Sequence, residues 1–291
     1  MKTRILVGVI AIPLIFLLIL FAPIWMFGAA LGAVAAIAAW ELLKCVSPAM
    51  PLRMVAYAAI GAFLLPFGTS LGADLLTERF VLWGLVVVMF CELMVSIMRE
   101  EQMTFDPVVM VLFAGFVLPM LFTSLIRIDM MENGPYLLVM VFIAAFASDS
   151  FAYFAGMFLG KHKLAPQLSP KKTIEGSAGG FLGTIVCMLI YGIIMSAAGY
   201  TVNYPVIAVY GYFGSLAGQL GDLAFSAIKR LHGVKDYSHI IPGHGGVLDR
   251  FDSMLFIAPL IELLIMWVPA VMWGNNYGEC NFYFGFYRLY R

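Results

Sequence analysis

The chain has 291 residues, of which 63% are hydrophobic and 12% charged, and its mean hydropathy is +0.96. That much apolar surface excludes a soluble globular domain, because no water-soluble fold of this size can hide it. The 17 basic and 17 acidic residues cancel, so net charge singles out no partner and nothing calls for a nucleic acid.

Apolar runs long enough to cross a hydrocarbon core of about 30 Å fall at 5–21, 24–46, 54–72, 80–98, 107–126, 136–159, 177–199, 204–228 and 251–273. They predict an all-α integral membrane protein with nine transmembrane helices. The first run follows Lys2 and Arg4 but is longer than a signal-peptide core and lacks a small-x-small cleavage site, so it reads as a retained span. The third is broken by Pro66 and Gly68, and the eighth carries Gln219 and Asp222. No strand alternation, linker or repeat is visible. The simplest partition is one membrane domain over 1–273, followed by an aromatic tail over 274–291 with no assigned role. The cysteines (Cys45, Cys91, Cys187, Cys280) show no CxxC spacing and read as buried, inert thiols.

With the N-terminus in the cytoplasm, thirteen of the 17 basic residues fall on the inside, the exceptions being Arg79, Arg127, Arg288 and Arg291. The positive-inside rule therefore predicts an N-in, C-out chain. Its two richest polar loops, 160–176 and 229–250, then lie together on the cytoplasmic face, where a soluble anionic substrate meets the membrane.

The stretch 221–252 gathers Asp222, Asp236, Asp249 and Asp252, the cations Lys229, Arg230, Lys235 and Arg250, and His232, His239 and His244. Asp222, Ser226 and Lys229 are spaced to share one helix face. A carboxylate a turn or two inside the membrane is a functional candidate, although pairing with Lys229 or Arg230 to anchor the helix end also explains it. Gly243, Gly245 and Gly246 around His244 make a loop whose backbone can approach a ligand closely. It leads into a helix start that favours anions. Asp249 and Asp252 suit that start as a cap, and equally suit a magnesium–phosphate site. The histidines lack a zinc spacing.

Upstream, Lys161, Lys163, Lys171 and Lys172 crowd the loop 160–176. Such a loop can be a topology signal or a lipid-headgroup anchor. The order Ser169-Pro170-Lys171-Lys172-Thr173-Ile174-Glu175-Gly176 looks more like a structured anion site, without the spacing of a Walker A loop. Asp149, sharing a face with Tyr153 amid Phe146, Phe151 and Phe154, must meet a polar cavity or a partner rather than lipid. Glu41, beside Trp40 and Lys44, reads as interfacial, and Glu92 as snorkelling. Neither is given a role.

These residues carry a resemblance. Ser226, Lys229-Arg230, Lys235-Asp236 and the run from Pro242 through His244, Gly245, Gly246, Asp249 and Arg250 to Asp252 resemble the signature of the phosphatidate cytidylyltransferase (CDP-diacylglycerol synthase) family. The likeness continues through Asp149–Tyr153, 160–166 and 169–176, and reaches the Trp40-Glu41 segment. It is most specific over 149–252, and the tail departs from it.

The resemblance implies transfer of a cytidylyl group from CTP to phosphatidate, giving CDP-diacylglycerol and pyrophosphate. It implies Mg²⁺ at Asp222 and Asp249, with a second metal ion left open. Lys229 and Arg250 join those two as the catalytic set. Asp149, Lys172, Glu175, Ser226, Arg230, Lys235, Asp236, His244, Gly245, Gly246 and Asp252 form the substrate-binding set. CTP, phosphatidate and membrane lipids are the implied partners, with a homodimer left open. The implied location is a bacterial inner membrane, with the site facing the cytoplasm. A CTP-dependent polyprenol or phytol kinase is the alternative enzyme. An ion-coupled transporter would need polar residues deep in several helices and inverted repeats.

Overall fold

The computed structural model describes residues 21–98, 105–241 and 245–273. The expected first span up to residue 20, Arg99, His244, Cys280 and the tail from 274 lie outside them. The described chain is a helix bundle. Its helices are α1 (Ile24–Val46), α2 (Leu52–Ser70), α3 (Asp74–Met98), α4 (Asp106–Leu112), α5 (Leu118–Asp129), α6 (Gly134–Leu159), α7 (Ile174–Ala197), α8 (Tyr204–Leu231), α9 (Leu248–Phe251) and α10 (Met254–Trp267).

Among the described residues, six stretches are long and apolar enough to cross a membrane: α1, α2, α3, the continuous rod Asp106–Asp129 formed by α4 and α5, α6, and α7. Helix α8 has the length, at 28 residues, but its polar positions keep it out of that set. The run expected as one span over 251–273 is instead split. Helix α10 has 14 residues, only about 21 Å of rise, and is followed by a short strand. Pro66 does not break the third span, because it sits in the last turns of α2, which runs on to Ser70. A π-helical turn at Phe113–Val117 joins α4 to α5. Pro119, which has no N–H to return to residue 115, accounts for the slack in that ladder.

The chain also holds two antiparallel ribbons that the apolar pattern hides. Strands β1 (Lys163–Ala165) and β2 (Ser169–Thr173) pair within the lysine loop, with Lys163 opposite Thr173. Strands β3 (Tyr200–Val202) and β4 (Val271–Trp273) pair at the other end of the bundle. Each strand is too short for an alternation to register against the neighbouring helices.

Burial centres on α5, with Phe122, Leu125 and Ile126 almost fully enclosed, and on the facing residues Leu65, Met140, Tyr210 and Ile257. Helices α6, α7 and α8 pack side by side. Lipid tails are as apolar as leucine, so close backbone approach rather than hydrophobic exclusion must hold such helices together. The glycine stripe of α7 provides it. A Cβ at Gly183 would lie 2.0 Å from the Phe151 ring, and one at Gly179 2.2 Å from Ala155. That contact brings the α6 carboxylate Asp149 alongside the polar end of α8. Outward, α3 shows Phe80, Trp83, Phe90 and Met94, the surface expected of a helix facing lipid. Cys91 on the same helix is exposed while Cys45 is buried, which corrects the reading of Cys91 as a buried thiol.

Candidate active site

The two polar loops meet at one end of the bundle. Thr173 ends the first ribbon and caps α7, its Oγ1 accepting the Gly176 amide at 3.1 Å. Glu175 turns back onto its own loop. Its oxygens take the His162 Nδ1 at 2.6 Å and the amides of Lys161 and His162 at 3.1 and 3.2 Å, so it braces the ribbon. Arg230 holds the ribbon from α8, donating to the Leu168 carbonyl at 3.3 Å and to the Val234 carbonyl at 2.8 Å. So fixed, the ribbon sends the Lys172 amine across to Asp222 Oδ2 at 2.6 Å.

The expected face of α8 is present. Ser226 donates to Asp222 Oδ1 at 3.2 Å. One turn on, Lys229 does not return to Asp222 but pairs with Asp249 Oδ1 at 2.6 Å. It also lies 5.3 Å from the centroid of the Tyr237 ring, within range of a cation–π attraction. This second pair is buried, with side-chain exposures of 9% and 3% against 26% and 28% for Lys172 and Asp222. Burying an ion pair is tolerable only when the remaining lone pairs are satisfied. Asp249 Oδ2 meets that condition by accepting the Tyr237 and Gly246 amides, each at 2.9 Å. Burial pushes the Tyr237 phenol well above its usual range. It stays neutral and donates to the Phe225 carbonyl at 3.0 Å.

Asp149 from α6 and Asp252, between α9 and α10, complete the cluster. Asp149 is exposed and feels the charges of Asp222, Lys172 and Arg250. Asp252 is half-buried and feels Asp222, Lys229 and Asp149, while its Oδ1 accepts the Ser253 amide at 2.8 Å. Arg250 and Lys235 are exposed and Asp236 is half-buried. Gly245 has φ +86, and a Cβ there would come 3.1 Å from Asp249 Oδ2 and 3.5 Å from Asp236 Cβ. This turn is closed to other residues on both counts.

Among the described residues, no group of three or more His, Cys, Asp or Glu side chains gathers as a self-sufficient metal cage. The donors fit a different kind of site. Asp222 and Asp149, with Asp252 near, are hard oxygen donors beside cations. That is the setting for a Mg²⁺ that takes one or two carboxylates and completes its shell with phosphate and water. Asp249 fits less directly, since both its oxygens are engaged by Lys229, Tyr237 and Gly246.

Two features escaped sequence reasoning. Glu41 is not interfacial but has no exposed surface at all. It accepts hydrogen bonds from the Val247 amide at 2.9 Å, the Leu248 amide at 2.7 Å and the Ser238 hydroxyl. A carboxylate just inside an apolar helix was the available signal. Below the cluster, Ser148, Ser215, Gln219 and Ser177 link α6, α8 and α7 by side-chain hydrogen bonds. Their small polar side chains stand out little from the surrounding helices. Glu92 accepts from Arg53 at 2.9 Å and from Tyr57 at 3.3 Å, so it anchors α3 to α2 rather than snorkelling.

The model of the cytidylyltransferase family matches residues 2–268. A phosphatidate cytidylyltransferase of Bacillus subtilis (strain 168) is 35% identical over 272 residues, 91% of this chain and 97% of that protein. One from Staphylococcus haemolyticus (strain JCSC1435) is 42% identical over 136 residues, 46% of this chain and 51% of that protein. The phosphatidate cytidylyltransferase of Staphylococcus aureus (strain COL) matches to the same extent, 42% over 136 residues and again about half its length, 51%.

Proposed function

The chain belongs to the cytidylyltransferase family, and from that premise we infer that it transfers the cytidylyl group of CTP to phosphatidate, releasing pyrophosphate and leaving CDP-diacylglycerol. The observation that carries this reading is the cluster in which Lys172 meets Asp222 and Lys229 meets Asp249 beside Asp149, Arg250 and Asp252. Such interleaving suits a site that must hold two polyanions against each other.

A phosphate monoester has a second pKa of about 6, so phosphatidate is already a competent nucleophile at neutral pH and needs no strong base. One of its oxygens forms a bond to the α-phosphorus of CTP. The bond from that phosphorus to the bridging oxygen breaks, and its electron pair leaves with pyrophosphate. The chain's task is to place the reactants in line and offset the charge that develops on the leaving group. Lys172, Lys229 and Arg250 serve as the phosphate-holding cations, with Arg230 fixing the ribbon that carries Lys172. Ser226 orients Asp222. The glycine loop 243–246, with Lys235, Asp236 and His244, packs against the nucleotide, and Asp149 lines the cavity as a nucleotide or metal contact.

Mg²⁺ would be held by Asp222 and Asp249, the latter where the Lys229 amine pairs with a phosphate oxygen instead of Oδ1. When bound there, it would draw charge from the phosphate oxygens as they pass through the transition state. CTP arrives from the cytoplasm, consistent with the basic residues on the inner loops, and the acyl chains enter from the bilayer of a bacterial inner membrane.

The test is turnover by purified, detergent-solubilised protein given phosphatidate, Mg²⁺ and CTP labelled at the α-phosphate. Label moves into a chloroform-soluble product, pyrophosphate appears, and EDTA stops both. An unlabelled lipid, with γ-label passing to an added polyprenol, would replace this reading with a kinase.

A further inference from the structure

We propose that Glu41, on a helix far from the catalytic loops in sequence, is a positioning residue that sets where Gly245, Gly246 and Asp249 meet the nucleotide. The inference rests on the cytidylyl-transfer reading and adds a residue to it. Glu41 lies five residues before the end of α1 and has no exposed surface. A carboxylate so placed is costly unless its lone pairs are filled. Among the described residues, the donors that fill them come from one segment. Oε1 accepts the Ser238 hydroxyl and the Val247 amide, and Oε2 accepts the Leu248 amide. The Ser238 hydroxyl in turn accepts the Ile240 amide at 3.3 Å. Glu41 thus grips the chain both before Ile241 and after Gly245, and the Ile241 amide donates to the Gly245 carbonyl at 3.0 Å.

The grip is close. A Cβ at Gly246 would stand 2.7 Å from Glu41 Oε1 and 2.8 Å from its Oε2, so a larger residue there would displace the carboxylate from its amides. On its other side the same glycine gives its amide to Asp249. Residues 246–249 are therefore held between two carboxylates, one buried in α1 and one in the cluster. Any shift at Glu41 passes to the Asp249 oxygens within a single turn of chain. Charge-assisted bonds to amides are about twice as strong as neutral ones. Glutamine has the same shape but only one acceptor oxygen, and its NH₂ would confront an amide N–H.

Two readouts on the full-length protein test this. Hydrogen–deuterium exchange follows the segment 237–248 in wild type and in Glu41→Gln. Steady-state kinetics give KM and kcat separately for CTP and phosphatidate. The expected result is faster exchange confined to that segment, with kcat/KM for CTP lowered by about 10- to 100-fold, as for other supporting-shell losses. KM for phosphatidate should stay within about twofold. Ser238→Ala, which removes one of the three donors, should move both readouts the same way by less, and it serves if Glu41→Gln does not fold. Unchanged exchange in the segment overturns the proposal. So does faster exchange throughout the protein with CTP kinetics intact, since that marks Glu41 as a packing residue. If wild type itself fails to transfer the label, the functional reading falls, while the exchange data still decide whether Glu41 positions this segment.

Discussion

The bundle carries an ionic cluster at each end, and they are built differently. At the end away from the catalytic loops, Arg127 of α5 reaches Glu262 of α10 with two nitrogens, at 2.6 and 3.2 Å. It also meets Glu78 at 3.3 Å and Asp74 at 3.7 Å, both on α3, and Thr123 and Ser124 of its own helix. Every partner stands on a helix, and the guanidinium fork fixes the geometry in a plane. At the active end both ion pairs are made by lysines, each touching its aspartate at one point, and one of them, Lys172, comes from a strand of the ribbon rather than from a helix. A forked arginine clamp resists exchange of partners. A point contact from an ammonium group on a flexible stem can trade its carboxylate for a phosphate oxygen. Density of charge does not separate a brace from a site; the exchangeability of its contacts does.

The sharpest way to break that distinction is Asp222→Asn. It removes the charge that both Lys172 and the proposed metal require but leaves the shape. Turnover should fall by more than the roughly 10- to 100-fold that outer-shell changes cost, with the melting temperature nearly unchanged. Near-normal activity would remove Asp222 from the chemistry. Arg127→Met should do the reverse. It strands Glu262 and Glu78 without their cation, at a cost on the order of 3 kcal/mol. The melting temperature should drop clearly while KM for CTP in the surviving protein holds. If KM moves instead, the two ends are coupled and the contrast fails. Lys172→Met sits between these. Losing one charge-assisted bond of about 1.5–3 kcal/mol should lower kcat/KM for CTP by about 10- to 100-fold, with little change in stability because the side chain is partly open. A stability loss without a kinetic one would make Lys172 another brace.

Much of the active end was legible because helical spacing is local. Asp222, Ser226 and Lys229 share a face as their intervals require, and Asp149 faces polar groups as its cost in lipid demands. What escaped was pairing across long separations. The sequence presents Lys229 as a natural partner for Asp222, but the ribbon supplies Lys172 instead and frees Lys229 for Asp249. Neither the ribbon's strands nor its approach to α8 leaves a periodic trace in so short a loop. The resemblance offered Glu175 as a substrate contact, whereas one of its oxygens is engaged by the backbone behind it and the other by the His162 ring. Glu41 was the hardest to read, since its partners lie some two hundred residues away, 206 and 207 positions along the chain. The expected span over 251–273 was misread for a related reason. Hydropathy reports that 251–273 is apolar but not that a turn and a strand divide it.

The smallest expected effect tests the boundary between support and site. Beneath the carboxylates, Ser148 and Ser215 share a hydrogen bond of 2.8 Å between α6 and α8, and Gln219 donates to Ser215 at 3.1 Å. Ser148 directly precedes Asp149, and Gln219 lies one turn before Asp222, so this linkage spans the two helices that bring those carboxylates together. Hydrogen bonds between membrane helices average only about 0.6 kcal/mol, because each partner finds a substitute. In Ser215→Ala, Gln219 keeps the Ser177 carbonyl at 3.3 Å, and the Ser148 hydroxyl can turn back to a carbonyl in its own helix. The glycine contacts of α7 also remain to hold α6 in place. The melting temperature should fall slightly and turnover should change by less than about twofold. A tenfold loss of kcat with unchanged stability would mean that this hydroxyl pair fixes the gap between Asp149 and Asp222. The working site would then extend a full turn deeper into the bundle than the charged residues mark it.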